Sequence, residues 1–163
     1  MTGLDRFNAL STARAEDQLF AAFADRSWAA EVASGRPYRD IDQLLDAAEL
    51  AWSKLKPGDW LRAFAAHPRI GESGGHAPAT SEREQSGVRQ ASGRTLAALA
   101  EENRKYEARF GHVFLIAARG RSAEDILHAL RQRMTNDPAT ELEVAAAEQR
   151  KITRLRLLEA LGR

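Results

Sequence analysis

Four polar side chains in this sequence could together perform acid–base chemistry on a small, polar molecule: His67, Glu84, Gln85 and Arg156. His67 comes seven residues after Trp60, on the apolar face of a predicted short helix. Pro68 disfavours helical geometry in the residue before it, so this helix is expected to end at the histidine. Imidazole titrates nearest to neutral pH, which suits proton transfer. A helix-end histidine is also often purely structural, and for His67 by itself this alternative stays open.

Glu84 and Gln85 follow a serine at the predicted start of a long helix. The pattern Ser81-Glu82-Arg83-Glu84 matches a capping box, in which the serine and the glutamate bond the first turn of a helix. This structural explanation is sufficient for Glu84. Gln85 is harder to explain, because it falls on an otherwise apolar stripe where an amide needs partners. Those partners could be protein groups or the amide edge of a ligand.

Arg156 lies on the inner face of the last predicted helix, in line with Leu142, Ala145, Gln149 and Ile152. An arginine there requires an anion, and its planar guanidinium suits a carboxylate held through two hydrogen bonds. An internal ion pair, or a side chain that reaches outward to solvent, would explain it equally well. Substrate binding and a structural role are therefore both open for Arg156.

The residue types present argue against most cofactors. The chain has no cysteine, so disulfides, thiolate metal sites and cysteine nucleophiles are excluded. The other histidines have no HxxxH or HExxH spacing, so no metal site is expected: His76, His112 and His128. No phosphate-binding loop, dinucleotide-binding glycine motif or G-x-S-x-G elbow is present. No bound cofactor is therefore predicted.

The overall charge and hydrophobicity are those of an ordinary globular protein. Hydrophobic residues make up 44% and charged residues 29% of the 163 positions, and the formal net charge is +1. This balance gives no general attraction to nucleic acid or to an anionic membrane surface. No apolar run approaches the roughly 20 residues that span a bilayer, and no secretory signal is visible. We therefore expect a cytoplasmic protein with a small-molecule substrate and no nucleic-acid or membrane partner.

The composition predicts an all-α fold, because alanine is abundant, β-branched residues are few and the five prolines lie where helices are expected to be interrupted. Residues 1–163 are predicted to form a single domain, a bundle of about seven to nine helices. Helices are predicted to start at capping residues: Ser11, Ser27, Asp40, Asp59, Ser81 and Ser122. The longest are predicted from Ser81 to about Arg109 and from about Ala139 to Leu161, and residues 69–80 are predicted to form a loop.

Residues 113–118 are predicted to be the exception to this helical pattern. Val113-Phe114-Leu115-Ile116-Ala117-Ala118 is a short, continuous apolar run between two breaks that contain glycine. It is brief for a helix and has no second strand to pair with, so we predict a buried extended segment. Its backbone N–H and C=O groups then need partners outside a β-ladder, and a ligand is one possibility.

Five motifs taken together resemble the OHCU decarboxylase family, where OHCU is 2-oxo-4-hydroxy-4-carboxy-5-ureidoimidazoline. The motifs are His67-Pro68-Arg69-Ile70-Gly71-Glu72, Ser81-x-x-Glu84-Gln85, Asn103-x-x-Tyr106-x-x-Arg109-Phe110-Gly111, Phe114-x-Ile116-x-Ala118 and Ile152-x-x-Leu155-Arg156-Leu157. The resemblance extends from Phe7 to about Leu161. The first two motifs in combination are its most specific part.

The resemblance implies an all-helical, cofactor-free carboxy-lyase of urate (purine) degradation that converts OHCU into (S)-allantoin and CO2. It implies catalytic roles for His67, as general acid or proton donor, and for Glu84. The implied substrate-binding residues are Pro68, Ser81, Glu84, Gln85, Phe114, Leu115, Ile116, Ala117, Ala118 and Arg156. It also implies a homodimer, and a functional pairing with the upstream enzymes urate oxidase and 5-hydroxyisourate hydrolase.

Two other functions stay open from the sequence. In a small helical binding or interaction module, His67, Glu84 and Arg156 would be structural residues only. Another acid–base lyase or hydrolase could use the same scaffold on a related ureide. Convergence of these side chains and Gln85 on one pocket of ligand size would favour an enzyme, whereas separate environments would favour the binding module.

Overall fold

Nine α-helices are the regular elements of the residues that the computed structural model describes, which are 1–72, 78–88 and 91–162. These described ranges contain no β-strand, and the predicted all-α fold is confirmed. Contacts divide the chain into two units. The first comprises Met1–Ala63 with Ile152–Arg163, and the second comprises Phe64–Lys151. A single domain over residues 1–163 is still a prediction from the sequence.

The first unit contains the N-terminal helices and the end of the last one. They are α1 (Gly3–Ala9), α2 (Thr12–Ala22), α3 (Arg26–Ser34), α4 (Ile41–Ser53), α5 (Pro57–Phe64, without its last residue) and the C-terminal turns of α9 (Pro138–Leu161). Aromatic rings fill its core. The Phe23 ring lies 5.3 Å from that of Trp28 and 5.1 Å from that of Trp52, measured between centroids. The buried Trp28 indole N–H donates to the Ala48 carbonyl over 3.1 Å.

Two of the predicted helix starts in this unit are confirmed. Ser11 Oγ accepts the Arg14 N–H at 3.3 Å at the start of α2. Asp40 Oδ1 accepts the Gln43 N–H at 2.8 Å at the start of α4. Each side chain thus satisfies a backbone donor that has no partner within its helix.

Two other predicted helix starts are wrong. Asp25, not Ser27, is the N-cap of α3, because its carboxylate accepts the Trp28 N–H at 2.8 Å and also the Ser27 hydroxyl at 2.7 Å. An ionised acceptor makes the stronger hydrogen bond. Helix α5 begins at Pro57 rather than at Asp59. Proline has no N–H and a restricted φ, and both properties suit the first position of a helix.

The second unit is formed by α6 (Pro78–Glu84), α7 (Gly93–Phe110), α8 (Ala123–Arg133) and the N-terminal part of α9. Gly111 ends α7 with a left-handed φ of 80°, and its N–H donates to the Glu107 carbonyl at 2.8 Å. Glycine adopts this conformation without steric cost. Apolar residues from α7, α8 and the chain between them form the core, among them Leu99, Tyr106, Phe114, Ile116, Ile126 and Leu130.

The predicted long helix from Ser81 to Arg109 is wrong, because two helices lie in this range. Ser81 is inside α6 and Glu84 is its last residue, so the predicted capping box does not exist. The predicted loop 69–80 is confirmed for residues 69–72, which are not helical, and wrong for 78–80, which belong to α6. Residues 73–77, including His76, lie outside the described residues.

A close backbone approach at Gly87 interrupts the helical pattern between α6 and α7. A Cβ atom at this position would come within 2.4 Å of the Arg121 carbonyl oxygen, so only glycine fits. The next helix then starts with its own cap, since Ser92 Oγ accepts the Thr95 N–H at 3.2 Å. The helical spacing of apolar residues continues across this break, and for this reason the sequence pattern alone did not reveal it.

Residues 113–118 are not helical, and four of the six are buried: Phe114, Leu115, Ile116 and Ala118. Side chains form hydrogen bonds with part of this backbone. Arg133 Nη1 donates to the Leu115 carbonyl at 2.6 Å, and the Ala117 N–H donates to Glu148 Oε1 at 3.2 Å. The protein thus supplies partners that a β-ladder would otherwise give.

A buried ion pair connects α8 to α9 and is shared with α7. The Arg133 guanidinium donates to both carboxylate oxygens of Glu141 at 2.8–3.0 Å, and Glu141 is fully buried. The Tyr106 hydroxyl donates to Glu141 Oε2 at 2.7 Å. Burial, and then this hydrogen bond, raise the pKa of Tyr106 above its ordinary value. The network therefore fixes the positions of α7, α8 and the start of α9 relative to one another within the second unit.

Candidate active site

His67 lies in the turn that follows α5, and α5 ends at Phe64, three residues before the predicted helix end at His67. Its backbone N–H donates to the Phe64 carbonyl over 3.1 Å, and its side chain is half-buried. Imidazole Nε2 lies 2.7 Å from Oε1 of Gln149, a fully buried residue of α9. The two residues are 82 positions apart, so tertiary structure and not the local turn orients the ring.

The turn after His67 is held by two hydrogen bonds from other elements. The Gly71 N–H donates to Gln85 Oε1 at 2.8 Å, and Gly71 has a left-handed φ of 92°. Asn103 Nδ2 donates to the Ile70 carbonyl at 3.4 Å. These contacts are with the backbone of the motif from His67 to Glu72, so they fix the path of that motif.

An ion pair adds a third contact to this turn. Arg69 Nε and Nη2 donate to the two carboxylate oxygens of Glu107 on α7, at 2.7 and 3.0 Å. Hydrogen bonding to Glu107, and then its charge, raise the pKa of Arg69. Arg69 is about half exposed, with 50% side-chain accessibility, so the pair orients the turn more than it stabilises the fold.

Ser81, Glu84 and Gln85 occupy the C-terminal half of α6 and the turn that follows. Ser81 is buried, Gln85 is buried and Glu84 is half-buried. The Gln85 N–H donates to the Ser81 carbonyl at 3.1 Å. The partner that the sequence required for the Gln85 amide is therefore a protein group, the Gly71 N–H, and this contact links α6 to the turn beside His67.

Helix α9 brings His67 close to the segment 113–118. Consecutive residues of this helix contact the two: Glu148 accepts the Ala117 N–H at 3.2 Å, and Gln149 meets His67 Nε2 at 2.7 Å. At the end of α5, the Phe64 ring lies 5.7 Å from that of His112, measured between centroids. The predicted site residues His67 and 114–118 therefore belong to one neighbourhood of the second unit.

Arg156 belongs to the first unit, where it is 4% exposed. Its Nη1 donates to the Ala21 and Ala22 carbonyls over 3.5 Å each. These are the last two residues of α2, where carbonyls lack helical partners and the helix dipole is negative. The predicted inner-face position is confirmed by burial, and the contact gives Arg156 a structural role that the sequence left open.

A cavity of about 340 Å³ lies beside the turn 69–72, a volume that would suit a small molecule. It is lined by Arg69, Ile70, Gly71, Glu72, Leu96, Leu99, Ala100, Asn103, Arg104 and Glu107. His67 and Gln85 are not among these residues, so the cavity neighbours the predicted site residues and does not contain them. Oδ1 of the buried Asn103 has no hydrogen-bond partner within the described residues.

Sequence reasoning missed Gln149 and Glu148 as members of this neighbourhood. Gln149 shared the predicted inner face of the last helix with Arg156, and an amide among apolar positions is the same signal that identified Gln85. Glu148 falls outside that face, and nothing in its local sequence indicates that it binds the Ala117 N–H. That contact depends on the path of a chain segment more than thirty residues away.

The described part of the chain holds no group of three or more His, Asp or Glu side chains that could bind a metal ion. In the same part of the chain, no helix is both long and apolar enough to cross a bilayer. What the site offers is an imidazole, a carboxylate, two amides and a backbone segment rich in N–H and C=O groups, which suits acid–base chemistry.

The fold and the site define an all-helical protein in which a half-buried histidine lies beside a buried, non-helical segment. The family model of OHCU decarboxylase matches residues 8–158, and this chain belongs to that family. The resemblance seen in the sequence motifs is thereby confirmed.

Individual relatives agree with this assignment. The "2-oxo-4-hydroxy-4-carboxy-5-ureidoimidazoline decarboxylase" of Amia calva is 31% identical over 144 residues, which cover 82% of this chain and 79% of that one. The "Uric acid degradation bifunctional protein TTL" of Arabidopsis thaliana is 33% identical over 148 residues. That match covers 87% of this chain and 46% of the plant protein, so this chain spans about half of it.

A solved structure supports the same fold. A crystal structure of OHCU decarboxylase, determined in the presence of (S)-allantoin, superposes with a TM-score of 0.78 at 33% identity. The match covers 90% of this chain and 99% of that one.

Proposed function

We propose that this protein is a carboxy-lyase that decarboxylates OHCU without a cofactor and releases (S)-allantoin and CO2, as a step of urate degradation. The observation that carries the proposal is the contact between His67, in the first family motif, and the buried Gln149 beside the segment 113–118. Family membership supports the substrate. The solved relative, determined with (S)-allantoin, supports the product.

The proposed reaction needs no electron sink from a cofactor. OHCU carries a carboxylate and a hydroxyl on one carbon, beside an imine-like carbon that bears the ureido group. Loss of CO2 moves the bonding electrons into this neighbouring unsaturated system. A proton delivered to one face of the resulting carbanion-like intermediate then sets the (S) configuration.

We assign the proton chemistry to His67 and Glu84. His67 acts as the general acid that delivers the proton, directly or through a water that it orders. Glu84 handles the hydroxyl proton of the substrate, from its half-buried position at the end of α6. General acid–base assistance of this kind contributes about 10²–10⁴-fold to a rate.

Substrate binding is assigned to residues around these two. Gln85 binds the ureido or ring amide edge through its NH2 group, because its Oε1 accepts the Gly71 N–H. Pro68 and Ser81 shape the site, and the backbone of residues 114–118 binds the ring. Arg156 binds the carboxylate, a role that rests on the final sequence motif and on the fit between guanidinium and carboxylate.

The cellular setting is also a proposal. We infer a cytoplasmic homodimer that works with urate oxidase and 5-hydroxyisourate hydrolase upstream. The name of the plant relative, a bifunctional protein of uric acid degradation, supports a link to neighbouring steps of that process. OHCU decays by itself, so an enzyme that acts soon after its formation would control the stereochemistry of the product.

The test is to generate OHCU freshly from urate with the two upstream enzymes and to follow allantoin by circular dichroism. We expect a signal of (S)-allantoin that grows at a rate proportional to the concentration of this protein. Decay that stays slow and racemic in its presence would contradict the proposal. Parallel incubation with related ureides, with release of CO2 measured, separates this activity from that of another lyase on the same scaffold.

A further inference from the structure

We propose that Gln149 is a positioning residue that keeps a hydrogen on His67 Nε2, so that Nδ1 is the ring nitrogen that gains and loses the catalytic proton. The tautomer is a property of the protein by itself. The catalytic part of the inference rests on the proposed function.

The contact has the geometry of a short hydrogen bond. The distance between His67 Nε2 and Gln149 Oε1 is 2.7 Å. An amide oxygen can only accept, so the hydrogen between the two atoms belongs to the imidazole. It stays there in the neutral and in the protonated ring, and the proton that titrates is therefore at Nδ1.

The surroundings of Gln149 hold its amide in place. It is fully buried, and one helical turn earlier Ala145 and Ala146 are buried as well. The preceding residue, Glu148, is itself anchored by the Ala117 N–H at 3.2 Å and by Lys151 at 2.6 Å. An acceptor on a packed helix orients the ring better than an acceptor on a loop would.

The chemical type of the acceptor also matters. A carboxylate in this position would favour the charged imidazolium strongly and would make His67 a weaker proton donor. A neutral amide fixes the ring orientation and the tautomer, and it has a smaller effect on the equilibrium between neutral imidazole and imidazolium. This suits a group that must give up a proton during each turnover.

The first experiment determines the tautomer without any substrate. Nitrogen-15 NMR of histidine-labelled protein, with the His67 signals assigned by their loss in His67→Asn, is expected to show hydrogen at Nε2 in the neutral ring. In Gln149→Met, which has a similar volume and no amide, the fraction with hydrogen at Nδ1 should rise. Hydrogen at Nδ1 in the unmodified protein, or a distribution unchanged by Gln149→Met, would overturn the proposal.

The second experiment measures turnover. A misplacement of about 1 Å at a reacting group can cost about 100-fold in rate, and Gln149→Met is expected to lower kcat by up to this factor with a smaller change in KM. The exposed Gln132 on α8 provides the matched control, Gln132→Met, which should leave kcat unchanged. A kcat in Gln149→Met equal to that of the control would overturn the positioning role.

A third variant separates positioning from packing. Gln149→Glu keeps an acceptor, so it should retain the Nε2 tautomer and shift the titration of His67 and the pH–rate profile to higher pH. The neighbouring titratable groups stay the same in both proteins: the Arg69–Glu107 and Lys151–Glu148 pairs, and His112 beside Phe64. A pH–rate profile that does not shift in Gln149→Glu would contradict the contact between His67 and the side chain at position 149. If OHCU is not a substrate, the tautomer and the titration still decide the proposal.

Discussion

The chemical role of a histidine depends on the atoms that its two ring nitrogens meet. For His67 one of these atoms is the Gln149 amide oxygen, at 2.7 Å. A solvated helix-end histidine would have no such constraint. The contact explains how a half-buried imidazole at this turn is held in one orientation.

Replacement of His67 by asparagine is expected to lower kcat by at least about 100-fold, because the general acid is lost while a polar group of similar size remains. The rate should be measured with fresh OHCU by circular dichroism. His128→Asn, at an exposed position of α8, is the matched control and should retain full turnover. Near-normal turnover in a folded His67→Asn protein would remove His67 from the mechanism.

Arg156 is expected to contribute to stability independently of any substrate. Arg156→Met removes donors from the last carbonyls of α2 and should lower the free energy of unfolding by about 1–3 kcal/mol. Urea unfolding without ligand measures this quantity. The exposed Arg154 on the same helix supplies the control, Arg154→Met. Equal stability of the two variants would show that the carbonyl contacts contribute nothing.

At the scale of elements, α9 connects most of the features described above. It carries Glu141 of the buried ion pair, then Glu148 and Gln149, and finally Arg156. The first three of these residues belong to the second unit and Arg156 belongs to the first.

The start of α9 should make stability depend on pH. Asp137 accepts the Thr140 N–H at 2.8 Å and its hydroxyl at 2.9 Å, and these bonds lower the pKa of Asp137 below its ordinary value of 3.8. The stabilisation is complete above the ordinary value and is lost as the pH falls through the lowered pKa. We expect Asp137→Ala to lower Tm at pH 7 and to differ less from the unmodified protein in strong acid.

The control for this cap is Asp137→Asn. Asparagine caps a helix nearly as well as aspartate and does not titrate, so its Tm at pH 7 should stay close to that of the unmodified protein. Thermal unfolding of the three proteins across the acidic range measures both effects. A deficit of Asp137→Ala that is the same at every pH would contradict the role of the charge.

Removal of one partner of the buried Arg133–Glu141 ion pair in the second unit should destabilise the protein strongly. Glu141→Gln leaves the Arg133 guanidinium, which is 11% exposed, without its anionic partner and should lower the free energy of unfolding by about 3–5 kcal/mol. Chemical denaturation measures the change. Glu143→Gln, at an exposed position of the same helix, should remain within about 0.5 kcal/mol of the unmodified protein. A similarly small effect at Glu141 would show that the pair is not stabilising.

At the scale of the whole molecule, the predicted assembly can be tested directly. A homodimer should sediment with a mass near twice the 18.0 kDa of one chain. Analytical ultracentrifugation at several protein concentrations measures this mass. A single species of one chain at the concentrations used for activity would exclude the dimer as the working form.

Much of the helical content could be predicted from local sequence. Helix starts at Ser11, Asp40 and Ser122, and the break at Gly111, depend on contacts within a few residues. Gly87 shows the limit of such reasoning. The close approach of the Arg121 carbonyl, which requires glycine there, comes from a distant part of the chain, so a pattern of apolar spacing could not reveal it.

The candidate site, like the helices, could be predicted from the sequence only in part. By itself the sequence determined that a helix would stop before Pro68, that the Gln85 amide needed a partner, and that Arg156 faced inward, because each follows from periodicity and local steric rules. Tertiary structure decided what those groups meet: Gln149 for His67, the Gly71 N–H for Gln85 and the α2 carbonyls for Arg156. The physical reason is that hydrogen bonds act over about 3 Å, and only folding brings residues far apart in the chain within that distance.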